Sequence, residues 1–315
     1  MDDEDLLKVI NDKVYAAKFA LNQFYEIPHK SEEKPFEIPS NLANISLKEA
    51  CELCVEAVFK ADTYKEGYLS ATEFFIEKHH ERVINSRGVD VEFNTYKGFI
   101  ELIPSWQKDD DEVETYNTIT FSSLDTNEIT RKVDEALLLT KARSEAVKLK
   151  LDKPVKVLIE GEGVESITSF FVDDLSYAYK YQKMSRFKIG ESVQGSNICG
   201  DKLTIELLPY VKGAYESSSI DSDGVILKPL FIVEDGIAKA RHGSYRFGYY
   251  LNEEHPTGIY PIVKLHGGHK SLEEMMKTPY LRCVKFSGFQ MESDSGFIGG
   301  EVRLGYYFDG EKVIP

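Results

Sequence analysis

Apolar residues change their spacing partway along this chain, and that change limits its fold more than any single motif. Up to about residue 70 they recur every three or four positions. From about 70 to 122 they alternate, as Val89, Val91 and Phe93 do with Asp90, Glu92 and Asn94. A three-four rhythm gathers side chains on one stripe of a helix, and alternation gathers them on one face of a strand. Helices and strands therefore come in runs. The predicted class is α+β, with helical hairpins packed on antiparallel β-sheets and a β-rich C-terminal domain.

Residues 3–25 carry Leu7, Ile10, Val14, Ala17, Leu21 and Phe24 on one stripe and read as an amphipathic helix. Three prolines and a charge cluster make 27–41 a linker. Ser46 with Glu49 forms an S-x-x-E start signal for a second helix, whose stripe is Leu47, Cys51, Cys54, Val55 and Val58. Asp125 and Glu128 open a third, with Ile129, Val133, Ala136, Leu137, Thr140 and Val147 facing inward. VKVLIEG (155–161) reads as a buried strand feeding a fourth helix over roughly 163–182. Beyond 200 the chain is mostly strands, and Asp223-Gly224, Asp235-Gly236 and Asp309-Gly310 each offer the two positive-φ residues that tight hairpins favour. A capped helix at Ser271 and Glu274 interrupts them. No internal repeat is evident. The expected division is an α+β domain over 1–150 and a β-rich domain over 151–315.

Composition narrows the partners. A net charge of −15 disfavours a phosphate-binding surface, so no nucleic-acid partner is expected. No apolar run approaches the roughly 20 residues that span a bilayer, and MDDEDLLKVIND is too acidic for a secretory signal. Neither a membrane partner nor an exported protein is implied. Four cysteines in 315 residues make no disulfide framework, which fits a cytoplasmic chain with reduced thiols.

Several stretches imitate catalytic sites. HHERVINSRGVD (79–90) begins like a zinc-peptidase helix, but a second histidine would have to stand at Ile84 or Asn85. The stretch also lies where the period is two, so a hairpin turning at NSRG is expected, with its histidines toward solvent. Cys51-x-x-Cys54 lacks a second pair and falls on a helix stripe, where cysteine packs as a small hydrophobe. His266 and His269 flank two glycines just before a helix cap, a connection rather than a metal site. EGEGVES (160–166) is a strand–glycine–helix junction without a P-loop lysine, a weak anion signal. SYAYKYQ (176–182) reads as a packed, partly exposed helix face. No catalytic residue can be named from these.

The second half carries an ordered pattern: GVILKPLFIVEDGIAKARHGSYRFGYYLN, then HPTGIYPIVKLHGGHKSLEEMM, then VKFSGFQMESDSGFIGGEVRLGYYFDGEKVIP. With ERVINSRGVDVEF and VKVLIEGEGVESITSFF before it, this resembles the TldD/PmbA family, also described as modulators of DNA gyrase, over roughly 45–315. The resemblance implies a cytoplasmic, dimeric metallopeptidase that degrades small unfolded peptides. One subunit type, TldD, carries H-E-x-x-x-H on the helix after the buried strand; the other, PmbA or TldE, does not. Here that helix reads GVESITSFFVDDLSYAYKYQ, without histidine, and Asp173 and Asp174 do not replace an imidazole pair. The resemblance thus implies a PmbA-like chain with no metal ligands and no cofactor of its own. Zinc is expected in a TldD-type partner, with dimerisation to that subunit or to itself, and an extended peptide as substrate. Relatives usually begin with a further β-rich segment and continue past the D-G-E hairpin, so the N-terminal domain is expected to be shortened. Candidate peptide-binding positions are Gly288, Phe289, Gly299 and Gly300, where glycine permits close backbone approach. The alternatives are a stand-alone peptide-binding or scaffolding protein, and a hydrolase using His266, His269 and a carboxylate.

Overall fold

The computed structural model describes residues 3–19, 23–292, 295 and 297–315. The first helix, α1, spans Asp3–Ala17. It is shorter than the predicted 3–25: Phe24 lies in extended chain and Leu21 outside the described residues. Its stripe of Leu7, Ile10 and Val14 faces solvent. Phe24 and Tyr25 instead set their rings edge-on against Tyr249 and Tyr250, so the segment after the helix is held by aromatic contacts with the C-terminal half.

The second helix, α2 (Leu47–Phe59), starts as expected, the Ser46 hydroxyl accepting the Glu49 N–H. Its buried face differs from the predicted stripe. Ala50, Cys54, Ala57 and Val58 point inward while Leu47 and Val55 are exposed. The two alanines let α2 lie close to its neighbour, a contact that ranking by hydrophobicity overlooks.

Strands β1 (Gly67–Ile84) and β2 (Asp90–Lys108) form a long antiparallel ribbon, from Gly67↔Trp106 to Ile84↔Asp90. Its turn is set by Asn85, whose side-chain oxygen accepts from the N–H groups of Arg87 and Val89, with Gly88 at φ 86°. The hairpin over HHERVINSRGVD is therefore as expected. β3 (Asp111–Glu114) and β4 (Asn117–Phe121) both pair with β2. Helix α3 (Thr126–Glu145), capped by Asp125, buries Ile129, Val133, Ala136, Leu137 and Thr140 as predicted. Val147 falls past its end and is exposed. Together α2 and α3 cover Ile100, Leu102, Ile119 and Phe121 to make one core.

β5 (Lys156–Ile159) is not the buried strand expected; it is the half-exposed edge of a sheet in the order β12-β11-β10-β5. Its apolar run looked like a central strand but has a neighbour on one side only. The predicted helix over 163–182 divides into α4 (Glu162–Asp174) and α5 (Tyr177–Tyr181). Ser176 causes the break: its hydroxyl accepts the Tyr179 N–H as a cap, and the Tyr177 N–H leaves the helix for the His242 carbonyl at 2.7 Å.

A second sheet core holds Leu175, Val193, Ile205, Leu207, Ile232 and Val233. It is built on β6 (Ile205–Leu208), β7 (Leu230–Glu234) and β8 (Ile237–Ala238). β9 (Ile262–Leu265) completes that sheet by pairing with β6, and α6 (Tyr245–Tyr250) packs against α5. Only one of the three Asp-Gly pairs puts both residues at positive φ, Asp235 at 50° and Gly236 at 76°. At the other two the aspartate side chain makes the turn instead. Asp221 accepts from the N–H groups of Asp223, Val225 and the distant Ile259, and Asp309 from those of Glu311 and Lys312. The Asp221 loop also meets the tip of the β1–β2 ribbon. A Cβ on Gly224 would lie 2.8 Å from Val89 and 3.3 Å from Val83.

Helix α7 (Leu272–Met275) shows the full reciprocal cap between Ser271 and Glu274. β10 (Tyr280–Met291), β11 (Ile298–Phe308) and β12 (Val313–Ile314) complete the last sheet. The architecture is α+β, with α2 and α3 packed on one antiparallel sheet and two further sheets after it in the chain; the pair is not the expected helical hairpin, because β1–β4 separate the two helices in sequence. Among the described residues no helix is long and apolar enough to cross a membrane.

Candidate functional site

The groove between α4 and the far end of β10 is the candidate site. Helix α4 begins at the strand–glycine–helix junction, where Gly161 takes φ 55°. Arg282 grips the Glu160 carboxylate with two N–H groups, at 2.5 and 2.9 Å. Two residues on, Glu162 accepts the Phe286 N–H at 2.9 Å. With Glu162 and Glu165 in its first turn, the start of α4 already carries negative charge. The weak anion signal of EGEGVES is thereby removed.

Glu165, Ser169 and Asp173 recur every fourth residue, so α4 presents them on one face. They line a cavity of about 310 Å3, opposite Phe289, Gln290 and Met291 of β10. Asp173 sits at the open mouth, and partial desolvation pushes its carboxyl above the usual range. Asp174 also borders this cavity but is buried. It accepts from the Ser185 hydroxyl and from the Arg186 and Phe187 N–H groups, all at 3.0 Å. Arg241 closes this network by donating to the carbonyls of Asp174 and Phe187 and to the Ser185 hydroxyl. One carboxylate is available to a ligand; its neighbour holds the chain together.

Gly288, Phe289, Gly299 and Gly300 lie together on the arm formed by β10 and β11. Gly288 has φ 65° within an irregular step of the ladder between Ser287 and Gln290. A Cβ on Gly300 would come within 2.5 Å of the Phe289 Cα, so that glycine lets the strands approach. Of the four, Phe289 lines the groove. Sequence reasoning weighed Asp173 only as a metal ligand and missed Glu165 and Ser169; the fourfold spacing of the three was the available signal.

The metal motif of the family does not fit this helix, which holds no histidine. Among the described residues no three of His, Cys, Asp and Glu are grouped as metal ligands. The remaining mimics are accounted for locally. His79 meets Glu77 at 2.6 Å and His80 meets Asn94 at 3.1 Å on the ribbon. Burial pushes the Cys54 thiol up to about 12, the reverse of what thiolate chemistry requires. Tyr177 is buried, while Tyr181 packs on Phe247 and Tyr250.

His266 and His269 use different carboxylates, Glu206 at 3.0 Å and Asp201 at 2.5 Å. The Asp201 partner raises the His269 pKa above its ordinary value. The pair's contribution is therefore complete while the ring is protonated and fades as pH rises through that raised pKa. An NMR titration should find His269 protonated to higher pH than a free imidazole, and Asp201→Asn should return it to the ordinary range. An unchanged titration in that variant refutes the pairing.

Residues 152–315 match the family model described as the PmbA/TldA metallopeptidase C-terminal domain. No curated protein sequence matches the chain. Among solved structures, TldE from Thermococcus kodakarensis superposes with a TM-score of 0.79 at 15% identity, covering 100% of this chain and 75% of that one. A protein described as a proposed modulator of a DNA gyrase, from Thermotoga maritima, gives 0.73 at 20% identity, covering 97% and 72%. A protein of like description from Bacteroides thetaiotaomicron gives 0.77 at 14%, covering 99% and 73%. At these identities the structural likeness is one of fold.

Proposed function

The chain belongs to the PmbA/TldD metallopeptidase family, and on that premise we propose that it is the metal-free subunit of a peptidase complex acting on small unfolded peptides. The observation that carries this reading is the composition of the α4 face. Where the family resemblance puts a metal-binding motif, this helix offers Glu165, Ser169 and Asp173. That set can hold a peptide through charge and hydrogen bonds, but it gives no imidazole pair for zinc. The metal, and with it bond cleavage, belongs to an H-E-x-x-x-H partner.

Holding the peptide falls to the groove. β5 pairs with β10 only over Tyr280–Cys283, so the same edge of β10 continues beyond it past the α4 cavity. An extended substrate aligned on that edge would gain main-chain hydrogen bonds whatever its sequence, which suits a subunit handling varied peptides. Phe289, with Gly288, Gly299 and Gly300 shaping the arm around it, is the proposed contact surface. The chain is further proposed to be cytoplasmic and to divide near residue 150, a division supported by its separate cores.

Co-expression with an H-E-x-x-x-H member of the family tests the reading. The two chains should purify together and cleave an unstructured peptide, a chelator should stop the cleavage, and this chain alone should bind the peptide without cutting it. Binding with no recruitment of the partner would favour the stand-alone peptide-binding alternative. Chelator-sensitive cleavage by the isolated chain would sink the proposal.

A further inference from the structure

A second cavity, of about 400 Å3, lies where the end of α3 meets β10 and β11. Three cations from distant parts of the sequence line it: Arg143, Lys285 and Arg303. Only one carboxylate, Glu162, is among its lining residues, and that group already accepts the Phe286 N–H. In a chain of net charge −15, such convergence runs against the average surface.

The positions of these cations have partial local explanations. Arg143 stands in the last turn of α3, where a positive charge suits the helix dipole. Arg303 leans on Glu301 at 3.0 Å. Lys285 has no such reason. The β10–β11 ladder is irregular on both sides of it, between Cys283 and Lys285 and between Lys285 and Phe286, and irregular steps of this kind re-aim side chains. Among the described residues neither Arg143 nor Lys285 makes a side-chain hydrogen bond or an ion pair, and both are half-buried. Three cations, two of them half-buried, with one carboxylate, Glu162, among the lining residues leave an excess of positive charge, and an anion between them would relieve it.

We propose that this cavity binds a carboxylate, the C-terminal carboxylate of a short peptide. The inference rests on the peptide-holding role proposed above. Apolar walls from Leu139, Phe286 and Leu304 accompany the cations, so a terminal side chain and a terminal carboxylate are accommodated together. Glu162 at the wall disfavours a doubly charged phosphate more than a singly charged carboxylate. The cavity also adjoins the α4 groove. Phe286 lines one and Phe289 the other, with ring centroids 4.6 Å apart. A peptide lying along β10 would thus end among the three cations.

The test uses the whole chain and calorimetric titration with acetylated tetra-alanine, as the free acid and as the carboxamide. The free acid should bind at least about tenfold more tightly, as expected for charge-assisted hydrogen bonds, and added salt should narrow the gap. The double variant Arg143→Gln with Lys285→Gln should abolish the preference while keeping the melting temperature close to that of the parent, since neither side chain has a hydrogen bond or ion pair to lose and a helix-end charge is worth only about 0.3–1 kcal/mol. Equal binding of acid and amide, or a preference that survives the double variant, overturns the carboxylate site and leaves peptide holding intact. Failure of both peptides to bind overturns the peptide-holding role and this site with it. Tight binding of inorganic phosphate without peptide would reassign the cavity to phosphate and overturn the inference.

Discussion

Asp174→Ala should destabilise the protein by about 3–5 kcal/mol, the range for removing one member of a buried charged network. The Asp174 carboxylate is buried and accepts from the Arg186 and Phe187 N–H groups and the Ser185 hydroxyl. Alanine takes the shared acceptor from three part-buried donors, and an unsatisfied buried donor costs about 1–3 kcal/mol. It also removes one of the two carboxylates, Asp174 and Glu253, that offset the desolvation of the Arg241 guanidinium, which donates to carbonyls of the same network. Thermal unfolding should shift down on the order of 10 °C. The control is the adjacent residue. Asp173 faces the groove with a carboxyl already raised by desolvation, so Asp173→Ala should change stability by no more than about 0.5 kcal/mol. If the two variants melt alike, the division of labour between neighbouring carboxylates is wrong.

Gly300→Ala should distort the arm and weaken peptide binding about tenfold or more, by the 1.4 kcal/mol per decade that relates affinity to free energy. The added methyl would stand 2.5 Å from the Phe289 Cα and 2.9 Å from its nitrogen, both backbone atoms that move only if the strand does. Overpacking of this kind costs about 1–3 kcal/mol. Here the cost falls on the arm, outside both main cores, so hydrogen exchange should quicken along the arm while overall melting changes little. Gly299→Ala is the matched control. Its methyl would meet the ring of Phe297, an exposed side chain that can turn aside, so arm and binding should stay near normal. Comparable binding loss in both variants would mean that Phe289 is not held in place by Gly300.

Much of the fold could be read locally. The α3 stripe, the Ser271 cap and the 79–90 hairpin each depend on residues within a few positions of one another. The errors share a cause: packing partners that the local sequence does not name. α2 turns its alanines inward because another helix must come close, and β5 looks central until one finds it has a single neighbour. The break before Tyr177 depends on a carbonyl from His242. The absence of a metal pair on the helix after β5 was legible, because a required residue type was missing. Arg143, Lys285 and Arg303 were not, since strand register and a ladder irregularity bring them together.

The seat of the β1–β2 tip against Gly224 has a consequence for biosynthesis. The ribbon pairs residues close in sequence and can form as soon as it leaves the ribosome, but Val83 and Val89 find their cover in a loop made much later. At ordinary elongation rates that delay is on the order of ten seconds. During it, a nascent chain displays a finished ribbon with a bare apolar end, a natural foothold for a chaperone.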